Sequence, residues 1–546
     1  MQNKYYLNSN NLLINKWLFI NILFSIFILC PIIFLITNSF ANTLDVWIHL
    51  KNTKLFLYIY NTIILVFGVG ILSTFLGVSS AWLTTQYNFY FKKYIEWLLI
   101  LPLAIPGYIV AYAYTDFLEY SGAFQTFIRS LFGFSNPSEY YFPSIRSLGG
   151  AIFILSFSLY PYVYLLVKFA FNTTPKNLIE TSLLNQKNPF YNVILPLSRP
   201  AIIAGSALVI METISDFGTV DYFAVETLTL AMFNLWLGMN NLEAASQISL
   251  IIFLFVIIIL SIELINRRNK RFDSNVISNE YEFSKKISRS QKLLILFLCL
   301  IPIIIGFIIP VLILLNLTLS NFDFDELLYS LIITKNSFLI GFLGGASIVI
   351  SSLYFCLYKL YDNSRVSNFL LPILGSGYAF PGVVIALGTL FFLGNLQFQI
   401  NSFLDFFEFN LNISFIGGFF GLILALTVRF NSIGLGSINT GLSRIPKNLI
   451  EANLTLGQSF VHGTKKILLP LLKSSILIGF ILTFIDIIKE LPITLLLRPF
   501  NFETLTTHIY QYASDEMLEK AALPSLIIII ASLLPVFIIY KTFIKK

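Results

Sequence analysis

Charged side chains are scarce in this chain. Asp, Glu, Lys and Arg make up only 12% of its 546 residues, hydrophobic residues make up 56%, and the mean hydropathy is +0.80. Soluble domains usually have about 25% charged residues, so this composition argues against a soluble globular protein. The short alternating segments of about 10 residues that build a membrane β-barrel are also absent from the sequence.

Cysteine and histidine are equally rare, with three of each. The cysteines lie in separate apolar runs without paired spacing, which predicts neither a disulfide framework nor a metal site; they are Cys30, Cys299 and Cys356. The histidines are isolated from one another, and we expect polar surface positions for all of them; they are His49, His462 and His508.

A nucleotide-binding loop is missing too. No stretch has the pattern Gly, four residues, Gly-Lys-Ser/Thr, so the chain does not bind and hydrolyse ATP in that manner. No nucleophile–base arrangement or metal-spaced histidine cluster supports a membrane-embedded enzyme. We therefore expect a non-enzymatic protein with no cofactor of its own.

Long apolar runs are abundant. Each has roughly 20 residues or more, enough to cross a hydrocarbon core of about 30 Å as an α-helix. The first run is longer than the 7–15 residues of a typical signal-peptide core, which predicts an uncleaved span. The sequence thus predicts an all-α polytopic membrane protein with about twelve transmembrane helices, at 17–40, 57–86, 95–118, 148–171, 199–222, 246–265, 293–319, 336–361, 368–394, 413–435, 473–498 and 522–543.

The two halves of the chain repeat each other. Residues 104–107 (AIPG) match 379–382 (AFPG) at a distance of 275 positions, and the hexapeptide PKNLIE occurs at both 175–180 and 446–451. Matches in one order indicate a duplication. Six spans per copy give both copies the same orientation, so we expect parallel repeats. The predicted domains are a first repeat at 1–265, a basic linker at 266–292 and a second repeat at 293–546.

The basic residues cluster in alternate loops, which is typical of membrane orientation and argues against nucleic-acid binding. With the amino terminus in the cytoplasm, most of them face the cytoplasm: Lys92, Lys93, Lys176, Lys187, Arg199, Arg267, Arg268, Lys270, Arg271, Arg444, Lys447, Lys465, Lys466, Lys473, Lys541, Lys545 and Lys546. The opposite loops have only scattered ones, such as Lys51, Arg129, Arg146, Lys335 and Lys520. Both termini and both PKNLIE loops are therefore predicted to be cytoplasmic.

Each PKNLIE segment lies in the polar loop after the fourth span of its repeat, at 172–200 and 443–473. Proline followed by Lys-Asn-Leu-Ile-Glu suits the first turn of a short helix. A short helix with one apolar side fits a groove on a soluble partner. The alternative is an interfacial helix that only braces its loop.

The second loop closely resembles the EAA loop of ABC-importer permeases, with the pattern Glu-Ala-Ala, three residues, Gly, nine residues, Ile-x-Leu-Pro. Six residues match in register, namely Glu451, Ala452, Gly457, Ile467, Leu469 and Pro470, and only Asn453 departs from the pattern. The first loop keeps Glu180 and Pro196, has Gln186 at the glycine position, and is three residues shorter. In that family the loop forms a coupling helix that docks into the ATPase subunit. We expect the segment that leads from the first loop back into the membrane to lack about one helical turn.

Further segments, above all METISDFGTVDYF at 211–223, resemble iron(III) ABC-transporter permeases of the fused two-domain type. The resemblance covers nearly the whole chain. It implies a type I importer fold in the cell inner membrane that alternates access, with one copy of this chain per transporter. It also implies two copies of an ABC ATPase, on which ATP acts, and an extracytoplasmic iron-binding protein.

Ionisable residues inside predicted spans are costly, by roughly 2.5–3.5 kcal/mol each, so they need an explanation. Span five and span eleven contain them at related positions: Glu212, Asp216, Asp221, Asp486, Lys489 and Glu490. The i, i+4 spacing within each acid pair predicts one shared helix face. Two interpretations remain open. The acids line a path for a hard cation that prefers oxygen ligands, or they form structural pairs with Lys489 and backbone amides.

Tyrosines near these spans are further candidate oxygen donors, although most are expected to pack or to lie at the interface: Tyr112, Tyr114, Tyr160, Tyr162, Tyr164 and Tyr222. Related permeases for thiamine, phosphonates or polyamines share the predicted architecture, and only the span-five stretch and its acids favour iron. An ion-coupled secondary transporter would explain buried carboxylates but not two EAA-like loops.

Overall fold

A computed structural model describes residues 11–268, 287–361, 365–407, 414–443, 445–446, 449 and 455–543. Within these residues the chain is helical and contains no β-strand. The predicted all-α class is confirmed. The body of the predicted linker and the residues Glu451 and Ala452 of the second loop lie outside the described ranges.

Twelve α-helices lie in the first half of the chain. They are α1 (Asn11–Asn38), α2 (Leu44–Asn52), α3 (Leu55–Gln86), α4 (Lys92–Leu98), α5 (Gly107–Leu118), α6 (Ala123–Phe132), α7 (Leu148–Asn172), α8 (Lys176–Leu184), α9 (Leu195–Ser215), α10 (Gly218–Tyr222), α11 (Leu228–Phe233) and α12 (Leu242–Arg268).

The described part of the second half has eleven. They are α13 (Arg289–Ile303), α14 (Ile309–Ser320), α15 (Phe324–Tyr361), α16 (Arg365–Leu374), α17 (Gly382–Phe406), α18 (Phe419–Ser443), α19 (Phe460–Gly463), α20 (Leu469–Lys489), α21 (Pro492–Leu497), α22 (Leu505–Ser514) and α23 (Leu518–Phe543).

Within the described residues, each of the twelve predicted apolar runs lies on one helix or on consecutive helices. By length and composition, nine helices within the described ranges suffice to cross a membrane, and a tenth span arises if a bent pair counts as one. That pair, Lys92–Ala104 with Gly107–Phe132, bends by 91°. The sixth run corresponds to an apolar helix, Leu242–Ile258, that is shorter than the helices counted as spans.

Prolines explain where two spans break. Pro106 and Pro381 precede the first residues of α5 and α17, with nearly identical backbone angles (φ −57°, ψ 142° and φ −54°, ψ 143°). A short 3-10 turn comes just before each of them, at Leu101–Ala104 and Ser376–Ala379. Proline has no N–H and suits a helix start, so both breaks are fixed locally. Pro161, by contrast, lies inside the unbroken helix α7.

Three of the four π-helical turns among the described residues directly precede an X-Pro pair. These turns are Phe190–Ile194, Ile304–Ile308 and Thr464–Leu468, which come before Pro196, Pro310 and Pro470. A proline ring collides with the carbonyl four residues earlier in a regular helix. In each case that carbonyl lies in the wider π turn, which makes room for the ring.

The chain forms two compact units. Unit 1 comprises Met1–Ala41 and Ile333–Thr506, and unit 2 comprises Asn42–Ile332 and Thr507–Lys546. Unit 1 therefore combines the first helix of the chain with most of the second repeat. The units do not coincide with the predicted repeats at 1–265 and 293–546, because a repeat is a property of the sequence and a unit is a property of packing.

Small residues allow close helix packing inside each unit. In unit 2, a Cβ on Gly77 of α3 would lie 2.6 Å from Val163 Cβ, and one on Gly205 of α9 would lie 2.8 Å from Val163 Cα. In unit 1, a Cβ on Gly388 of α17 would lie 2.2 Å from the carbonyl oxygen of Pro31 in α1. Such contacts are the usual source of helix association in a membrane, where apolar burial alone supplies little.

Candidate coupling loops and buried acids

The first PKNLIE segment forms the helix α8, which begins directly after Pro175. Ile179 is buried, whereas Glu180 is exposed. Two leucines of the same helix are also exposed, Leu178 at 45% and Leu184 at 85%. The helix thus presents an acidic and apolar surface, which is the chemistry expected of a docking element.

Gln186 ends this helix in a left-handed conformation, with φ +52°. The N–H of Gln186 donates to the carbonyl of Leu183 and the N–H of Lys187 donates to that of Ser182, both at 2.9 Å, which closes a Schellman motif. Gly457 has the same left-handed conformation in the second loop, with φ +75°. The alignment of Gln186 with the motif glycine is therefore correct in backbone geometry as well as in sequence.

We predict that Gln186→Gly stabilises the first loop by about 1 kcal/mol, because glycine reaches the left-handed region without a Cβ penalty. Amide hydrogen exchange across 176–190 should slow in this variant. The matched control is Asn185→Gly, since Asn185 has a right-handed backbone with φ −83°. That substitution should speed exchange, and equal effects of both glycines would contradict the strain at Gln186.

The exits from the two loops differ by one turn. In the first repeat the π turn Phe190–Ile194 begins four residues after Gln186, and in the second Thr464–Leu468 begins seven residues after Gly457. The additional turn is α19. Ser459 caps the start of this helix, because its hydroxyl oxygen accepts the N–H of His462 at 3.2 Å. The continuous helices that follow have 26 and 30 residues, Phe190–Ser215 and Phe460–Lys489. This agrees with the shorter exit expected for the first loop.

The second loop is described only in part. Ile467 lies in the π turn, and Leu469 and Pro470 begin α20, just as Leu195 and Pro196 begin α9. Leu449 and Leu456 are 43% and 78% exposed. The described part of this loop therefore also has apolar side chains on its surface.

Asp216 lies at a helix break in unit 2. The helix α9 ends at Ser215, and the backbone of Asp216 is extended with ψ 117°. Its carboxylate accepts the N–H of Thr219 at 2.9 Å and the hydroxyl of Thr219 at 3.0 Å. The carboxylate therefore binds the first turn of the short helix α10, as a capping residue does. Gly107, at the start of α5, packs against it, since a Cβ there would lie 3.5 Å from Asp216 Oδ2.

Glu490 has the equivalent place in unit 1. It follows Lys489, the last residue of α20, with extended backbone (ψ 115°), and it accepts the N–H of Ile493 at 3.4 Å. Arg429 of α18 lies with Nη1 3.4 Å from Glu490 Oε1, and both side chains are only 6% exposed. A Cβ on Gly382 would meet Arg429 Nη1 and Glu490 Oε1, so a larger residue at the start of α17 would displace the ends of both charged side chains.

The structure places each predicted acid pair across the end of a helix. Glu212 and Asp486 lie within α9 and α20, Asp216 and Glu490 directly follow the last residues of these helices, and Glu212 interacts electrostatically with Asp216. The helix ends before the second acid in both repeats, because that carboxylate caps the next short helix instead. Glu212, Asp486 and Lys489 are half-buried residues of α9 and α20.

Arg429 was missed by the sequence analysis, although it was visible as a basic residue inside the predicted tenth span. The helices α7 and α18 begin 271 positions apart, as do the two PKNLIE segments, so the counterpart of Arg429 in the first repeat is Ser158. In unit 2 the side chain against the start of α5 is Leu155, since a Cβ on Gly107 would lie 2.9 Å from its Cδ2. In the first repeat the hydroxyl of Thr219 donates to Asp216, whereas in the second repeat Arg429 forms an ion pair with Glu490.

Other side chains named from the sequence have structural partners. Tyr160 and Tyr114 donate their hydroxyls to the carbonyls of Leu99 and Ile305 at 2.9 and 2.6 Å, and Lys168 donates to Tyr164 at 3.1 Å. The surface position expected for His508 is wrong, because it is buried with Nε2 3.1 Å from Glu326 Oε1. Within the described ranges, no group of three or more His, Cys, Asp or Glu residues is suited to hold a metal ion.

Asp221 is the third acid of this region and lies at the end of α10. It accepts the hydroxyl of Tyr510, from α22 of the same unit, at 2.7 Å. The structure thus separates the predicted residues into two kinds of site. One is the loops, which expose apolar side chains and, in the first loop, Glu180; the other is the acids that hold helix breaks at the far ends of α9 and α20.

The chain is similar in sequence to known transport permeases. The chain is 24% identical over 493 residues to an Fe(3+)-transport system permease protein of Haemophilus influenzae, with 88% of this chain and 89% of the relative covered. It is 21% identical over 489 residues to a ferric transport system permease protein of Actinobacillus pleuropneumoniae, covering 84% and 67%. A molybdenum transport system permease protein of Haemophilus influenzae is 24% identical over 168 residues, covering 29% of this chain and 70% of that protein.

The family of binding-protein-dependent transport system inner membrane components matches the chain twice, at residues 73–272 and 348–546. The two matches cover most of both predicted repeats and include both loops with their left-handed turns. They confirm the resemblance found in the sequence. The chain belongs to this family, as a fused permease with two copies of the family's domain.

Proposed function

We propose that this chain is the membrane-spanning subunit of an ABC importer that takes up iron(III) delivered by an extracytoplasmic binding protein. The names of two relatives that align with most of the chain support iron as the substrate. The orientation expected from its basic residues places the two loops, and both termini, in the cytoplasm. ATP is hydrolysed on partner subunits.

One observation carries the coupling part of the proposal. Each repeat has a loop with a left-handed residue, a π turn and an X-Pro helix start, and the π turns are 274 positions apart. Two such loops in one chain fit two ATPase subunits and a single copy of this chain per transporter.

The helices that follow the loops would transmit motion to the helix breaks. The helix α9 runs from Leu195 to Ser215, and 21 residues span about 32 Å. A displacement of the first loop would thus reach Asp216, which holds the start of α10 and contacts the start of α5. The same path runs through α20 to Glu490 and α17. Alternating access would then arise from movement of the segments that these acids fix.

The test is uptake by proteoliposomes that contain this chain, its ATPase and its binding protein. We expect iron uptake that requires both ATP and the binding protein, and no comparable uptake of thiamine, phosphonate or polyamine. Iron uptake driven by an ion gradient without ATP would contradict the importer mechanism. ATP-driven uptake of one of the other compounds in place of iron would contradict the substrate.

A further inference from the structure

A cluster of phenol and carboxylate oxygens lies in unit 2, at the end of α9 that is remote from the first loop. Asp221 of α10 and Tyr510 of α22 share the hydrogen bond of 2.7 Å. The ring of Tyr222 packs edge-on against that of Tyr112 of α5, with centroids 4.5 Å apart. Tyr510 and Asp221 are also close enough to Tyr112 to interact with it electrostatically.

Tyr112 has a feature that packing does not explain. Its side chain is 3% exposed, and its hydroxyl oxygen has no hydrogen-bond partner. Burying a hydroxyl without a partner costs about 1–3 kcal/mol, and most buried polar atoms avoid this cost. An oxygen retained at such a cost, within electrostatic range of a carboxylate and another phenol, is suited to bind a ligand.

The fold itself does not require these oxygens. The repeat offsets of 275, 274 and 277 positions place Leu387, Leu495 and Phe233 at the counterparts of Tyr112, Asp221 and Tyr510. Apolar side chains therefore fill the same places in the other copy of the architecture. The oxygen cluster is a property of one repeat only, and a structural role common to both repeats does not account for it.

Acidic side chains surround the cluster. Arg146 stacks on the ring of Tyr222, with Cζ 4.9 Å from the centroid, but it pairs with Glu119 at 2.6 Å and with Glu516 at 3.5 Å. Asp116 and Glu519 are also near this face, since Asp116 interacts electrostatically with both Glu119 and Glu519. The acids outnumber the arginine, so the local potential favours a cation.

We infer that Asp221, Tyr510 and Tyr112 form an acceptor site for iron(III) at the extracytoplasmic end of unit 2. This inference rests on the proposed function. Iron(III) is a hard ion that prefers carboxylate and phenolate oxygens. On binding, each phenol releases its proton to water and the iron keeps its oxidation state. The ion replaces the proton that Tyr510 now shares with Asp221. Three protein oxygens leave further coordination positions to water, which allows the ion to move on.

The test uses the full chain in lipid nanodiscs, titrated with iron(III) nitrilotriacetate. We expect a visible phenolate-to-iron charge-transfer band in the wild type. Asp221→Asn and Tyr510→Phe should each weaken binding about tenfold or more, and Tyr112→Phe should reduce the intensity of the band. Both phenylalanine variants keep the ring and its packing. The control is Tyr141→Phe, because Tyr141 is 91% exposed and lies outside the cluster; it should leave the band unchanged.

The absence of a band in the wild type, or a band that none of the three variants changes, would overturn the site. Uptake assays separate this result from the proposed function. Iron uptake at the wild-type rate by Asp221→Asn and Tyr510→Phe would refute the site and leave the importer intact. A wild-type transporter that takes up no iron would refute the proposed function and, with it, an acceptor site for transport.

Discussion

Replacement of Glu490 by alanine is expected to destabilise unit 1 by about 3–5 kcal/mol, the usual cost of removing one partner of a buried ion pair. Arg429 would stay buried with its charge unpaired, because Glu490 is the carboxylate within salt-bridge distance and both side chains are 6% exposed. The start of α21 would also lose its cap at Ile493. Thermal unfolding of the detergent-solubilised chain measures this effect.

Two further variants make the prediction specific to the ion pair. Asp216→Ala removes the equivalent acid of unit 2, which is bound by Thr219 at 2.9 and 3.0 Å, and should cost about 1–3 kcal/mol. The double variant Arg429→Met, Glu490→Leu replaces both charges with apolar side chains and should recover most of the lost stability. If the double variant were as unstable as Glu490→Ala, the cost would not come from an unpaired arginine.

The second large effect concerns coupling. Glu451→Lys is expected to abolish most ATPase co-purification, whereas Glu180→Lys should reduce it less, because the second loop keeps the full spacing of the motif, with glycine at 457 and a longer exit. Reversing one charge in a desolvated docking contact typically costs several kcal/mol, which is enough to release a partner. The measurement is the ATPase-to-permease ratio after affinity purification of the tagged chain.

A charge reversal outside the motif provides the control for this experiment. Glu139→Lys changes an exposed glutamate in the loop before α7, on the side opposite to the predicted docking face, and should leave the ratio unchanged. If both glutamate variants lowered the ATPase-to-permease ratio equally, the two loops would bind the ATPase with similar strength, contrary to the prediction. A larger loss for Glu180→Lys would reverse the predicted ranking.

The two tests address different links in one pathway. Glu180 and Glu451 belong to the loops that would contact the motor, and Glu490 and Asp216 lie at the other ends of the helices that leave those loops. We expect the variants of Glu180 and Glu451 to lose docking without losing stability. We expect the variants of Glu490 and Asp216 to lose stability without losing docking. Together they would separate the cytoplasmic contact from the helix breaks within the membrane.

The sequence by itself determined the helical class, the duplication, the family and the positions of both loops. Each depends on patterns that are local or periodic: apolar runs of membrane length, matches at constant offsets, and a motif with fixed spacing. Gln186 illustrates how far such reasoning extends. The sequence aligned it with the motif glycine, and the two residues have the same left-handed conformation, because backbone conformation at a helix end depends on a few neighbouring residues.

Only the tertiary structure decided how the intramembrane charges are used. Arg429 and Glu490 are 61 positions apart, and Tyr510 and Asp221 are 289 apart, so no local pattern pairs them. The structure also ended α9 and α20 one residue before Asp216 and Glu490, where a continuous helix was expected. A carboxylate that caps the next helix gains hydrogen bonds that sequence spacing does not reveal. Spacing shows which side chains are near each other along the chain, but packing decides which groups form hydrogen bonds.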